Sequence, residues 1–235
     1  MTEIEVHGLT KTFGRVAAVR DVSFTARAGQ VTSFLGPNGS GKTTTLRMVL
    51  GLVRPSAGEA LIGGVPYAGL ARPRRSVGAV LEVTGFHPGR RAREHLRVIA
   101  AAGGVPDRRV DEVLGQVGLA SSASRRMREF SLGMRQRLGL AAALLADPDV
   151  LVLDEPANGL DPAGIAWLRG LLRGLAGEGR TIVVASHLLS EIAQSADHVL
   201  IISAGQLRFA GPLEEIGDTN DALESAFLKL TAAPG

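Results

Sequence analysis

One eight-residue stretch, Gly36-Pro37-Asn38-Gly39-Ser40-Gly41-Lys42-Thr43, limits what this chain can fold into more than any other. It fits G-x-x-x-x-G-K-[ST], and it stands between an apolar run at 30–35 and a helix-forming run at 42–52. That pattern has meaning in one setting: a buried strand ends, the chain turns tightly, and a helix opens with its N–H groups aimed into the turn. Glycines let the backbone approach an anion closely, and the loop N–H groups with the helix N-terminus supply positive potential. Lys42 can then bridge the β- and γ-phosphates of a nucleoside triphosphate, the Thr43 hydroxyl can ligate Mg²⁺, and Thr44 completes the set. At an effective dielectric near 20, one such charge contact at about 4 Å contributes about 4 kcal/mol before desolvation.

A second constraint comes from residues 150–153, Val-Leu-Val-Leu, followed by Asp154 and Glu155. A buried strand that ends in two carboxylates sends adjacent side chains in different directions. Asp154 can therefore reach the shell of a Mg²⁺ ion while Glu155 addresses a water beside the terminal phosphate, as general base or as the group that orients the nucleophile. His187 follows another apolar run, 181–186, and so sits where a strand end meets the ligand crevice of an open α/β sheet. The other histidines, His7, His87, His95 and His198, lack such a position and read as loop or packing residues.

Strand patterns bounded by turn residues recur at 4–6, 17–24, 30–35, 77–81, 150–153, 181–185, 198–202 and 207–210. Helical patterns fit 42–52, 92–102, 110–117, 133–145, 162–176 and 188–195, with a closing amphipathic helix at 223–231. Alternation from residue 30 onward predicts a largely parallel sheet, and the first strands read as antiparallel. Residues 88–146 break the alternation as a helical insertion, so a single domain is expected: an α/β core from 1–87 and 147–235, with a helical subdomain between. A 45% hydrophobic content with only 4% aromatics means a core of Ala, Val, Leu and Ile, suited to helices packed on a sheet. The net charge is +3, with lysine only at Lys11, Lys42 and Lys229 and arginine scattered without interleaved aromatics. That argues against a nucleic-acid platform. The absence of cysteine excludes disulfides and thiolate metal sites. No apolar stretch approaches the roughly 18 residues of a membrane span, and residues 1–5 lack signal-peptide character, so a cytosolic protein is expected.

A third stretch, Phe130-Ser131-Leu132-Gly133-Met134-Arg135-Gln136-Arg137, precedes the acidic strand. Taken with the phosphate loop, the acidic strand, Asn158-Gly159-Leu160-Asp161 and Ser186-His187, it makes the chain resemble the ATP-binding subunit of ABC transporters over essentially its full length. Within that family it is most similar to the drug and antibiotic exporter ATPases of the bacitracin-resistance type. The resemblance implies a P-loop NTPase of ABC type, with a mainly parallel sheet, an N-terminal antiparallel β part and an inserted helical subdomain. It implies ATP and Mg²⁺ as ligands, Glu155 and His187 as catalytic residues, and Thr43, Asp154 and Glu82 toward the metal. Asp161 would lie in the D-loop. Phe13 stands where the family places an adenine-stacking aromatic, although a core position for Phe13 is open from the sequence. Leu132 and Met134 depart from the usual Gly and Gln; Ser131 and Gly133, which keep the hydroxyl and N–H that face a phosphate, do not.

Each ATP would be sandwiched between the phosphate loop of one chain and the Ser131–Gly133 element of another. One copy of each motif therefore implies a dimer with an identical or homologous chain. The partner of that dimer would be a separate membrane permease, met through residues 83–95 with Phe86 and His87 as contacts, which places the ATPase on the inner face of the membrane. A non-transport ABC ATPase or a regulatory ABC subunit is the alternative. Glu82 occupies the position where the family generally has a metal-sensing Gln, and it would add a third carboxylate near the ion. Glu82→Gln is accordingly expected to alter the metal dependence of hydrolysis; an unchanged Mg²⁺ titration and rate would exclude that role.

Overall fold

The computed structural model describes residues 2–81, 85–217 and 219–232. In chain order its elements are β1 (Ile4–Phe13), β2 (Val16–Ala26), β3 (Val31–Leu35), α1 (Lys42–Val49), β4 (Ala57–Ile62), α2 (Pro73–Ser76), β5 (Val77–Val80), α3 (Ala92–Gly103), α4 (Arg108–Gln116), α5 (Leu132–Leu144), β6 (Val150–Asp154), α6 (Pro162–Gly177), β7 (Thr181–Ser186), α7 (Leu189–Ser195), β8 (His198–Ser203), β9 (Gln206–Pro212) and α8 (Asn220–Thr231). Among the described residues, six strands form one sheet in the order β5-β6-β7-β3-β8-β9, and three form a second in the order β2-β1-β4. The large sheet is parallel except for β9, which runs antiparallel to β8. The small sheet is antiparallel throughout.

Parallel strands covered on both faces read as continuous apolar runs, and their side chains still alternate between the two faces. In β6, Leu151 and Leu153 pack with the helices α3–α6, while Val150 and Val152 pack with α1 and the small sheet. β7 divides the same way: Ile182 and Val184 on the helical side, Val183 and Ala185 on the other. The helices between β5 and β6 close their own apolar layer through Leu96, Val113, Leu114, Met127 and Leu138. A third, smaller cluster joins Ile192, Val199, Ile201 and Leu223 under α7 and α8. None of the helices among the described residues is long and apolar enough to cross a membrane.

Local chemistry sets the helix ends. Ser131 caps α5, its Oγ accepting from the Met134 N–H at 3.2 Å. Asp161 caps α6 by accepting from the Gly164 N–H at 2.8 Å, with Pro162 at the first helical position. The α1 helix stops at Val49, short of the expected residue 52. Gly51 takes a left-handed φ of 66°, and the Leu52 and Val53 N–H groups both fold back to the Arg47 carbonyl, at 2.8 and 3.2 Å.

Two further differences from the sequence expectation concern strands. β1 runs on to Phe13, well beyond 4–6, because β2 and β4 pair with it on both sides. β4 was not anticipated at all: three of its six residues are exposed, so it has no apolar pattern, and it exists through pairing with β1. Like β9, it is an antiparallel element within the stretch expected to be largely parallel. Phe34, fully buried in the central strand β3, packs its ring 5.7 Å from that of Phe24 and ties the two sheets together. Phe34→Ala is expected to destabilise the fold by about 3–5 kcal/mol, read as a lower urea midpoint with an unchanged slope. A loss below about 1 kcal/mol would contradict this packing.

Candidate functional site

The phosphate loop leaves β3 and enters α1 through backbone that only glycine fits at two points. A Cβ on Gly36 would sit 2.4 Å from the Ile202 carbonyl oxygen. Gly41 caps α1 at φ 110°, where a Cβ would meet the Ala18 carbonyl at 2.6 Å. The loop is thereby pressed onto β2 and β8 and cannot drift. Lys42 is buried at 6% exposure, and its ammonium donates to the Gly36 carbonyl at 2.6 Å and the Pro37 carbonyl at 3.3 Å. Burial lowers its pKa, and the charges of Glu155 and then Asp154 work against that shift.

The alternation of β6 decides where its last residue, Asp154, points. Asp154 falls on the α1 side, where the Thr43 hydroxyl donates to its Oδ2 at 2.6 Å. Its Oδ1 is buried with no hydrogen-bond partner. Burial pushes the Asp154 pKa up; the Thr43 hydrogen bond opposes this, and the neighbouring Glu155 charge reinforces it. An unpartnered buried carboxylate oxygen beside a threonine hydroxyl is the donor set a hard divalent cation takes. The residues present thus fit Mg²⁺, which Thr43 and Asp154 would hold. Among the described residues no group of three His, Asp or Glu side chains could hold a metal ion. Glu82 lies outside the described residues.

Glu155 leaves the strand with φ 51° and takes its carboxylate away from Asp154. Its Oε2 lies 2.7 Å from Nδ1 of His187, which β7 delivers at the neighbouring strand end. A hydrogen bond from the imidazole fixes which carboxylate oxygen is left to meet a water. The Ser186 hydroxyl accepts from the Leu188 N–H at 3.1 Å and shapes the turn that carries His187.

These groups converge on one cavity of about 530 Å³, lined by Asn38 to Thr44, Asp154, Glu155 and, from the helical part, Leu132 and Gln136. Seven expected site residues are not in that lining: Gly36 and Pro37 at the base of the loop, His187 behind Glu155, and Ser131, Gly133, Asp161 and Phe13. Ser131 and Gly133 stand at the start of α5, with the Ser131 hydroxyl accepting from Met134. The Asp161 carboxylate is engaged in capping α6. Phe13 sits at the β1–β2 turn with half its surface exposed and the Lys11 ammonium 5.0 Å from its ring centre, which removes the alternative of a core position.

Gln136 belongs to the stretch singled out in the sequence, but no role is assigned to it there. Leu132, Gln136, Leu140 and Leu144 form an i, i+4 stripe, and a lone amide interrupting an otherwise apolar stripe is the signal that could have found it.

Comparison with known proteins gives a consistent picture. Residues 19–158 match the model of the ABC transporter family. The bacitracin transport ATP-binding protein BcrA of Bacillus licheniformis is 43% identical over 222 residues, covering 93% of this chain and 72% of that protein. The lantibiotic transport ATP-binding protein SrtF of Streptococcus pyogenes is 34% identical over 95% of both chains. The solved dimeric structure of a bacterial ABC transporter cassette superposes with a TM-score of 0.82 at 25% identity, over 90% of this chain and 99% of the other.

The raised Asp154 pKa has a consequence for stability. Ionising a carboxyl whose folded pKa exceeds its ordinary value of 3.8 opposes folding. That penalty is absent below the ordinary value, grows as pH rises through the raised one, and is complete above it. Asp154→Asn removes the charge and still lets the Thr43 hydroxyl donate. It is expected to raise the melting temperature, measured at neutral pH without added nucleotide, by roughly 2–4 °C, and to leave it unshifted near pH 3. A lower melting temperature at neutral pH would contradict the burial argument.

Proposed function

The chain belongs to the ABC transporter family as an ATP-binding, ATP-hydrolysing subunit, and from that premise we propose that it is the motor of an exporter of drugs or other small molecules. Two chains close head to tail around two ATP molecules and drive a separate membrane permease, from a position on the inner face of the membrane. The observation that carries this reading is the meeting, in one cavity, of the phosphate loop, the Thr43–Asp154 pair and Glu155, with His187 hydrogen-bonded to Glu155 beside it. Export is favoured by the names of the bacitracin and lantibiotic relatives.

In this reading the loop N–H groups and Lys42 bind the triphosphate, exchanging loop carbonyls for phosphate oxygens as partners of the ammonium. Thr43 and Asp154 would hold Mg²⁺, with Glu82 proposed as a further carboxylate for it; when bound, the ion would neutralise charge on the phosphates. Glu155 orients and deprotonates the attacking water, and His187 holds that carboxylate in place. Phe13 stacks on the adenine from the exposed β1–β2 turn. Ser131 and Gly133 bind the γ-phosphate of the ATP on the other chain: the helix that starts there aims its positive end outward, and the backbone N–H groups survive the Leu132 and Met134 departures. The D-loop Asp161 faces the same interface.

The division into an α/β core (1–87 and 147–235) and a helical part (88–146) serves this arrangement, since the two ATP-gripping elements then sit on separate bodies. Permease contact falls on Phe86 and His87. Phe86 is partly buried against the helical core with its ring edge-on to His95 at 5.0 Å, and His87 is exposed.

Glu155→Gln is expected to bind ATP, accumulate as a dimer on size-exclusion chromatography and lose about 10²–10⁴-fold in turnover. Ser131→Arg is expected to lose turnover to a similar degree while the single chain still binds ATP. Wild-type rates in the first variant would reject Glu155 as the catalytic carboxylate; wild-type rates in the second would reject the sandwich dimer.

A further inference from the structure

Glu155 is held in an uncommon backbone conformation. Its φ of 51° lies in the left-handed region that residues with a Cβ seldom occupy, and such a geometry persists only where neighbours enforce it. Three hydrogen bonds surround it. The Glu155 N–H donates to the Ala185 carbonyl at 2.8 Å, which registers it against β7. Its carbonyl accepts from the Asn158 N–H at 3.2 Å, the next turn of its own loop. The same carbonyl accepts from Nε2 of Gln136 at 3.3 Å.

The third bond differs in origin, because Gln136 belongs to α5 and not to the sheet. It is 2% exposed, so its amide has no water to fall back on. One turn earlier, on the same face of α5, Leu132 lies against Gly159. A Cβ placed on Gly159 would be 2.4 Å from the Leu132 Cγ, and one on Gly133 would be 2.7 Å from the Gly159 carbonyl oxygen. One helical face therefore touches both ends of the loop 155–159: the apolar end through Leu132, the catalytic end through Gln136.

We propose that Gln136 is a positioning residue, holding the backbone of Glu155 so that seating of the α5 N-terminus on the partner's ATP is transmitted to the catalytic carboxylate of its own chain. This rests on the assignment of Glu155 as catalytic. A displacement of α5 moves the Glu155 carbonyl, the backbone follows, and the carboxylate turns relative to His187. Each ATP site is thereby linked to the other through a single buried amide.

The test is a double-mutant cycle on the purified full chain. Gln136→Met keeps the side-chain length and removes the N–H donor. Its kcat is expected to fall about tenfold, corresponding to about 1.4 kcal/mol, with ATP affinity of the single chain unchanged within about twofold. Gln136→Asn keeps the amide but withdraws it by one methylene, and is expected to show the same loss; it carries the test if the methionine variant fails to fold. Combined with Glu155→Gln, either substitution is expected to cost less than about twofold further, because the group it positions is already gone. A kcat within twofold of wild type in a folded Gln136 variant, or a further tenfold loss in the double variant, would overturn the proposal. Turnover of Glu155→Gln alone is read first: wild-type activity there fails the catalytic assignment itself, whereas a normal loss there with an additive double variant fails only the role of Gln136.

Discussion

The C-terminal end of β6 is the point on which the rest of the site depends. A strand buried on both faces cannot choose where its side chains go; the pleat alternates them. The pleat sends Asp154 toward α1 and the Thr43 hydroxyl, and the left-handed turn at Glu155, just past the strand, brings the next carboxylate to His187. Two carboxylates adjacent in sequence thus acquire different surroundings, one buried with a free oxygen and one partnered by an imidazole. Parallel pairing of β6 with β7 and of β7 with β3 then brings the phosphate loop, the carboxylates and the histidine to the same edge of the sheet, since parallel strands end together.

Close packing keeps that edge in place. The loop at Gly36 and Gly41 touches the backbone of β8 and β2 so closely that no Cβ fits. Lys42 and Asp154 are held in positions whose burial opposes their charges. Such an arrangement is costly for the folded protein and suits binding: a triphosphate with a divalent cation would supply the charges that the buried lysine and carboxylate lack. The helical part contributes differently. Its helices α3–α5 share one apolar layer with β6, β7 and α6, and they meet the loop 155–159 along one face of α5, with Leu132 on Gly159 and Gln136 on Glu155.

Much of this was legible in the order of residues. The phosphate loop, the acidic strand and the strand-end histidine are each local patterns; the alternation of apolar runs with helical ones pointed to a largely parallel sheet, and the family resemblance to the fold class that the ABC cassette structures share. The elements that escaped depend on partners far along the chain. β4 is half exposed and owes its existence to β1; β1 itself extends to Phe13 because of strands on both sides. Gln136 escaped because a polar residue within an apolar helix stripe has no stated purpose until its partner, nineteen positions away, is placed beside it. Phe13 was undecided between core and surface because an aromatic at a strand end reads the same in both; the hairpin leaves it exposed.

By itself the sequence determined the chemistry available: a glycine-rich loop suited to phosphate, two carboxylates and a histidine at strand ends, and approximately where most of the helices run. Those properties are set by the backbone over a few residues. Only the tertiary structure decided the pairings: Thr43 with Asp154 across 111 positions, Glu155 with His187 across 32, and Glu155 with Gln136 across 19. Local patterns fix the direction in which a side chain leaves the chain, whereas its neighbour is fixed by how strands order and register in the sheet and by how the helices cover it.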